Sequence, residues 1–169
     1  MKKEISGGST PSYEEIRTVE MSETEQVHLI TPSDLNSYGR LFGGRLMQWI
    51  DEVAGIAAIR HAGCPITTAA VDNLQFKEGA GEGDLIVLRA WLTYVGNTSM
   101  EVRVDTYVED MSGKRRVINR AYLVEVAVDE DGQPLRVPRL KPHSPEQYAE
   151  WDNGLRRQQL RKERREEGY

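Results

Sequence analysis

Residues 36–51 bring together residue types that could act on an acyl carbonyl. Gly43 and Gly44 directly precede the apolar periodicity of a helix, so a polar substrate atom could approach bare backbone there. The first N–H groups of a helix have no carbonyl partner within it and lie at the positive end of its dipole. The pair could therefore stabilise an oxyanion, or it could only form a tight turn before the helix. The spacing matches neither the P-loop nor the dinucleotide-binding glycine motif.

Asp51 is the second chemical element of this segment. It lies in an otherwise apolar helical pattern, at the edge of a polar arc that contains Arg45, Gln48 and Glu52. A buried carboxylate without a partner is costly, so Asp51 must either face water or have a task. The helical periodicity leaves both alternatives open.

The spacing of these elements has a geometric consequence. Gly44 and Asp51 are separated by 51 − 44 = 7 residues, which is about 10 Å along a helix axis at a rise of ~1.5 Å per residue. The Gly44 amide and the Asp51 carboxylate of the same helix therefore cannot act together on one carbonyl group. If they cooperate, Asp51 must come from a second copy of the chain, which predicts a two-fold dimer with its sites at the seam.

Other nucleophiles are poorly placed for catalysis. His28, His61 and His143 are scattered and accompany no Gly-x-Ser-x-Gly motif, so serine hydrolase chemistry is not expected. We expect His61 to act as a cap at the helix end. A single cysteine, Cys64, excludes an internal disulfide and a zinc site of several thiolates, and we expect it to be a small buried filler.

The surrounding pattern predicts an α+β fold. Residues 45–60 have apolar positions at intervals of three and four, as a helix requires. Residues 84–95 are apolar on both faces and should form a central strand, whereas 100–109 alternate and should have one face in water. Further strands are predicted over 17–30, with a break at 22–26, and over 67–76 and 117–128. We expect an antiparallel sheet wrapped around one long buried helix.

The chain divides by composition into three parts. Residues 1–12 should be a flexible arm, 13–145 the folded domain, and 146–169 a charged helical tail. Either the tail is a solvated or frayed helix, or its basic stripe contacts a neighbouring subunit or an anionic ligand. The stripe consists of Arg156, Arg157, Arg161, Lys162, Arg164 and Arg165.

The composition limits the classes of function. The chain has 169 residues, with 22 Lys and Arg against 27 Asp and Glu, so its formal net charge is −5. One domain, or one domain with an appendage, is expected. No net positive charge would attract nucleic acid or an anionic membrane. We expect a soluble, cytoplasmic protein, because no secretory pattern and no run of about 18 apolar residues occurs.

The segment from residue 34 to 61 resembles the active-site segment of the hot-dog-fold acyl-CoA thioesterases, the group of the brain-type cytosolic acyl-CoA hydrolases and the YciA-like enzymes. Residues 71–76 and 94–101 are also similar in order and spacing, and the resemblance covers roughly residues 26–147. It implies a hot-dog fold, in which two chains pair into a continuous sheet and three pairs often assemble into a hexamer.

The resemblance also implies the reaction and the residues that perform it. An acyl-CoA thioester would be hydrolysed to a free acid and CoA, without a metal or a separate cofactor. Asp51 matches the family's catalytic aspartate, a general base or nucleophile. Asn36 matches the asparagine that orients water or substrate, and Gly44 matches the backbone N–H donor to the thioester oxygen. In the family, Asn36 and Gly44 would belong to one chain and Asp51 to its partner.

Substrate-binding candidates extend beyond these three residues. By resemblance, the turn at Asn97, Thr98 and Ser99 contacts CoA, although it could also be an ordinary hairpin turn. Phe76, Trp49 and Met47 are expected in the core rather than in an acyl tunnel. Gly43 and Phe76 remain candidates for substrate binding, and the candidate charges for the phosphates are Arg60, Lys77, Arg116 and Lys141.

Three other functions are consistent with such a fold. A hydratase or dehydratase would need a histidine with an acidic partner at the helix start, and none lies near Gly43. A non-catalytic acyl-CoA sensor would not need the carboxylate of Asp51. An interaction domain without a small ligand is the third alternative.

Overall fold

A five-stranded antiparallel sheet and one long helix form the body of the protein. The computed structural model describes residues 13–168; the predicted arm at residues 1–12 lies outside the described residues, as does Tyr169. In chain order the elements are β1 (Ile16–Thr18), a 3-10 turn (Val19–Met21), β2 (Thr24–Leu29), a 3-10 turn (Pro32–Asp34), α1 (Gly43–Ala62), β3 (Ile66–Asp72), β4 (Leu85–Val95), β5 (Ser99–Glu109), β6 (Arg115–Ala127), β7 (Arg139–Lys141) and α2 (Pro145–Glu167).

The sheet has the order β2-β4-β5-β6-β3, and α1 packs across one of its faces. Small residues on the buried side of α1 let the helix approach the strands closely: Val53, Ala54, Ala57 and Ala58 are fully buried. The predicted α+β fold, the helix and the interior position of β4 are confirmed. No helix among the described residues is both long and apolar enough to span a membrane.

Two predicted strands differ from the observed ones. The strand expected over 17–30 is divided by the first 3-10 turn, and β1 leaves the main sheet to pair in parallel with β7. The strand expected over 67–76 ends at Asp72, because Asn73 adopts a left-handed backbone with φ 54°. Phe76 therefore lies in the loop after β3.

The prediction that one face of β5 would be wet is wrong. Glu101 and Asp105 on that face are only 1% and 3% exposed. Helix α2 lies over this side of the sheet, and Arg157 and Arg161 each donate a 2.8 Å hydrogen bond to Glu101. The basic stripe of the tail therefore neutralises a carboxylate of its own sheet.

The contact between α2 and the sheet depends on Gly154, which is the buried residue of the helix. A Cβ at this position would lie 2.6 Å from the Cβ of Tyr94 and 3.0 Å from Oε1 of Glu101. Alanine favours a helix interior by about 1 kcal/mol over glycine. Overpacking against a carbon fixed to the backbone costs about 1–3 kcal/mol, so the clash should prevail.

Gly154→Ala is accordingly expected to lower the free energy of unfolding by about 1 kcal/mol. Chemical denaturation monitored by circular dichroism measures this change. Asn153→Ala is the matched control, because Asn153 is exposed on the same turn and its replacement should leave stability unchanged or slightly raised. A Gly154→Ala variant as stable as the wild type would show that this contact does not hold α2 to the sheet.

Candidate active site

The start of α1 leaves two backbone amides without helical partners. Gly43 and Gly44 are its first two residues, and the carbonyl of Phe42 accepts hydrogen bonds only from the following Arg45 and Leu46, at 3.0 and 3.1 Å. The N-cap residue Phe42 provides no side-chain bond, and the first turn holds no acidic residue. A developing negative charge could therefore be stabilised at this end of the helix.

The ring of Phe42 packs against Gly44. A Cβ there would lie 2.5 Å from Cε1 of Phe42. A side chain at position 44 would therefore require the exposed Phe42 ring to shift.

The side chain of Asn36 organises the turn that precedes α1. Its Oδ1 accepts hydrogen bonds from the backbone N–H groups of Tyr38, at 2.9 Å, and Arg40, at 3.2 Å. Two donors at one oxygen fix the orientation of the amide, because only the carbonyl oxygen can accept. Nδ2 is consequently the group that Asn36 can offer to a substrate, and it is a donor.

A cavity of about 330 Å³ joins this turn to the start of α1. It brings together four of the predicted site residues: Asn36, Gly43, Phe76 and Lys77. Phe76 is 52% exposed and Met47 45% exposed, so their expected place in the core is wrong, whereas Trp49 is buried as predicted. A Cβ on Gly43 would touch the Phe76 ring at 3.5 Å.

The side chain of Asp51 does not take part in the hydrogen bonds of the polar arc on α1. The arc itself is a surface chain, in which Arg45 bonds Gln48 and Gln48 bonds Glu52, each at 2.8 Å. Asp51 instead accepts a 2.8 Å hydrogen bond from the Thr68 hydroxyl on β3. The Asp51 carboxylate is thus exposed to solvent and hydrogen-bonded to Thr68.

Thr68 also contacts a second carboxyl group. Glu125 on β6 is completely buried, and its Oε2 lies 3.2 Å from the Thr68 hydroxyl oxygen. Burial, followed by the charge of Asp51, raises the pKa of Glu125 to about 7. The sequence did not indicate either residue, because a threonine and a glutamate in strands are ordinary until the strand register places them beside Asp51.

The candidate residues of one protomer therefore lie in two separate groups, the candidate half-sites. Asn36, Gly43 and Gly44 lie at the start of α1, and Asp51 with Thr68 lies two turns further along. Helix α1 is continuous from Gly43 to Ala62, so the separation of about 10 Å expected from the sequence applies.

The other predicted phosphate-binding residues do not line the cavity, although Arg116 bonds to Glu78 and Gly79, which do. Arg60 is near the other end of α1, about 24 Å from Gly44 at the helical rise, where it donates to the Glu23 carbonyl at 3.0 Å. Arg116 pairs with Glu78, and Lys141 ends β7.

The predicted CoA-binding turn forms the hairpin between β4 and β5. Gly96 N–H donates to the Ser99 carbonyl at 2.8 Å, and the Asn97 carbonyl accepts from Val137 at 3.1 Å. The Asn97 side chain is exposed, and those of Thr98 and Ser99 are half-buried.

The histidines and the cysteine lie apart from this arrangement. His61 is fully buried and bonds the Pro138 carbonyl at 2.9 Å. Burial lowers its pKa, so its expected role as a charged helix cap is wrong. His28 stacks on Trp49 with 4.3 Å between ring centroids. Cys64 is half-buried, and burial raises the pKa of its thiol.

The chain is similar in sequence and fold to known thioester hydrolases. Residues 38–113 match the Thioesterase superfamily. The "Uncharacterized acyl-CoA thioester hydrolase YkhA" of Bacillus subtilis is 35% identical over 152 residues, which are 89% of this chain and 88% of that protein. The cytosolic acyl coenzyme A thioester hydrolase of rat is 36% identical over 143 residues. The match covers 83% of this chain but only 38% of the rat protein.

Solved structures agree with the sequence comparisons. An acyl-CoA hydrolase of Staphylococcus aureus, in complex with butyryl coenzyme A, coenzyme A and coenzyme A disulfide, has a TM-score of 0.84 and 33% identity, with 90% of this chain and 93% of that chain covered. An apo-hexameric acyl-CoA thioesterase has a TM-score of 0.85 and 36% identity, with 89% and 97% covered. Variants of the staphylococcal hydrolase replace one Asn, one Asp or one Thr by Ala. Along that chain the Asn and Asp are 15 positions apart, and the Asp and Thr are 17 apart.

Proposed function

This chain belongs to the thioesterase superfamily and is an acyl-CoA thioester hydrolase with a hot-dog fold, and from this premise we propose that Asn36, Gly44 and Asp51 catalyse the hydrolysis. The observation that carries the proposal is the position of Asp51, which Thr68 holds apart from the surface arc of its own helix. The spacings 51 − 36 = 15 and 68 − 51 = 17 in this chain equal those between the residues replaced in the staphylococcal hydrolase, which supports the choice of residues.

The proposed reaction divides the chemistry between the two half-sites. The N–H of Gly44 and Nδ2 of Asn36 donate to the thioester oxygen as it becomes negative. Asp51 takes a proton from water as the water oxygen bonds to the carbonyl carbon, or it attacks that carbon itself and forms an acyl anhydride, which water hydrolyses after CoA has left to release the acid and restore the carboxylate. The C–S bond then breaks, and the CoA thiolate leaves and takes up a proton. No metal or separate cofactor is needed, because a thioester carbonyl is already electrophilic and CoA is part of substrate and product.

The distance between the half-sites requires a second chain. We propose that Asn36 and Gly44 of one protomer face Asp51 of its partner across a two-fold axis, which gives two sites per dimer. Edge strand β3 pairs with β6 alone among the described strands. The exposed apolar side chains of Met47 and Val71 would be covered by the partner. Three such dimers would form a hexamer, the state named for one of the similar structures.

We expect the substrate to bind in the cavity beside Asn36. Gly43 and Phe76 would contact the acyl thioester, and Lys77 at the same cavity offers a cation for a phosphate. The hairpin at Asn97, Thr98 and Ser99 would contact CoA. The assignment of Arg60 to CoA requires a surface near the far end of α1, since Arg60 does not share the cavity.

Free-thiol release tests the function directly. With a panel of short, long and aromatic acyl-CoAs, we expect equal amounts of free CoA and carboxylic acid, with the acid measured separately by mass spectrometry. The main alternative is a non-catalytic acyl-CoA sensor of the same fold, which would bind acyl-CoA tightly without thiol release. Absence of both binding and release would contradict both functions.

A further inference from the structure

Glu125 differs from the other acidic side chains buried in the sheet. Glu101 and Asp105 each bond two arginine side chains. Glu125 is 0% exposed, and no Lys, Arg or His among the described residues forms an ion pair with it. Burying an ionised carboxylate without a cation is costly. The fold therefore favours the neutral, protonated form of Glu125.

The number of protons available for hydrogen bonds at Thr68 also indicates that Glu125 is protonated. The Thr68 hydroxyl oxygen lies 2.8 Å from Oδ1 of Asp51 and 3.2 Å from Oε2 of Glu125. A hydroxyl has one proton to donate, and an ionised carboxylate has none. If Thr68 donates to Asp51, its contact with Glu125 is a hydrogen bond only when Glu125 donates. The three groups then form one chain, from Glu125 to Thr68 to Asp51.

Among the described residues, Asp51 is the titratable group whose charge acts on Glu125. Its neighbour on β3 is Thr68, its register partner on β5 is the apolar Met100, and α1 contributes Asp51. Burial and the Asp51 charge raise the pKa of Glu125 to about 7, and the Thr68 bond opposes this rise. The change of protonation thus falls near neutral pH.

We propose that Glu125 is a positioning residue, whose protonated carboxyl holds the Thr68 hydroxyl so that Thr68 donates its proton to the catalytic Asp51. This inference rests on the proposed function of Asp51. When Glu125 ionises, its carboxylate competes with Asp51 for the single Thr68 proton. Turnover should then decrease because Asp51 loses the bond that orients it.

The test compares pH profiles of kcat for three proteins. Wild-type kcat should fall as the pH rises through about 7. Glu125→Gln should lack this fall, because the amide stays neutral and still donates to Thr68. Glu125→Met has a similar size but neither donates to Thr68 nor ionises, so its kcat should show no fall near pH 7 and should lie about 3- to 10-fold below that of Glu125→Gln, as for a lost hydrogen bond between uncharged groups. Coincident wild-type and Glu125→Gln profiles, or full activity of Glu125→Met, would overturn the inference.

Thr68→Val separates positioning from a structural role of Glu125. In a Thr68→Val background, Glu125→Gln should no longer change the pH profile, because the link to Asp51 is absent. A merely structural effect of Glu125 would persist in this background. Persistence of the effect would overturn the inference.

A measurement without substrate checks the protonation itself. Folded Glu125 keeps its proton to about pH 7, whereas an unperturbed glutamate loses it near 4.5. Wild type should therefore lose stability relative to Glu125→Gln as the pH rises from 4.5 to 7, and denaturation at several pH values measures this. Parallel stabilities would overturn the inference. Normal turnover of a folded Asp51→Asn variant would instead overturn the proposed function, whatever Glu125 does.

Discussion

Replacing Asp51 with asparagine is expected to lower kcat for acyl-CoA hydrolysis by about 10²–10⁴-fold, the contribution of a positioned general base. The amide has nearly the same size and can still accept the Thr68 hydrogen bond through Oδ1. It can neither take a proton from water nor attack a carbonyl as a carboxylate does. KM should change little, because the loss concerns the reacting groups and not the bulk of CoA.

The matched control for Asp51→Asn is Glu52→Gln. Glu52 is the adjacent exposed carboxylate of α1 and accepts a 2.8 Å hydrogen bond from Gln48, within the surface arc. Its replacement removes the same charge from the same turn and should leave kcat within about twofold. Steady-state thiol release from both variants provides the comparison. An equal loss of activity in both variants would show that negative charge near this turn, and not Asp51 itself, supports turnover. Full activity of both would show that neither carboxylate is needed.

Replacing Asn36 with aspartate should lower kcat by about 10²–10³-fold, the usual effect of removing one oxyanion donor. Oδ1 would still accept the N–H groups of Tyr38 and Arg40, so the turn before α1 should keep its shape. The variant loses only the Nδ2 donor and places a negative oxygen where the oxyanion develops. Kinetics with one acyl-CoA measure the effect, and circular dichroism with thermal unfolding checks the fold.

Tyr38→Phe is the control for this turn. Tyr38 is exposed, and it enters the turn through its backbone N–H, which phenylalanine also has. We expect wild-type kinetics from it. An Asn36→Asp variant that retains wild-type kcat would mean that Asn36 maintains the turn but does not donate to the reacting oxygen.

Local sequence patterns predicted the parts of the site that lie on one element. The two glycines before a helix and the distance from Gly44 to Asp51 depend on residues close in the chain and on regular helical geometry. The observed start of α1 at Gly43 agrees with both. The separation of Gly44 from Asp51 along α1 could thus be derived before any tertiary contact was known.

The missed features depend on residues far apart in the chain. Glu101 and its partners Arg157 and Arg161 are separated by 56 and 60 residues. The alternating pattern of β5 therefore suggested a wet face, since nothing local shows that α2 covers it. Thr68 and Glu125 are likewise 57 residues apart and meet Asp51 only through the register of β3 with β6. The periodicity of one strand does not indicate which residues of other elements its side chains will contact.

A site shared between two protomers is tested most directly by subunit complementation. Asn36→Asp and Asp51→Asn proteins are mixed in equal amounts, and their exchange is verified by native mass spectrometry. Random reassortment makes half of the dimers mixed, each with one intact site, so activity should recover to about a quarter of the wild-type value. Activity that remains at the level of the separate variants, despite demonstrated exchange, would contradict a site built from Asn36 and Gly44 of one chain and Asp51 of the other.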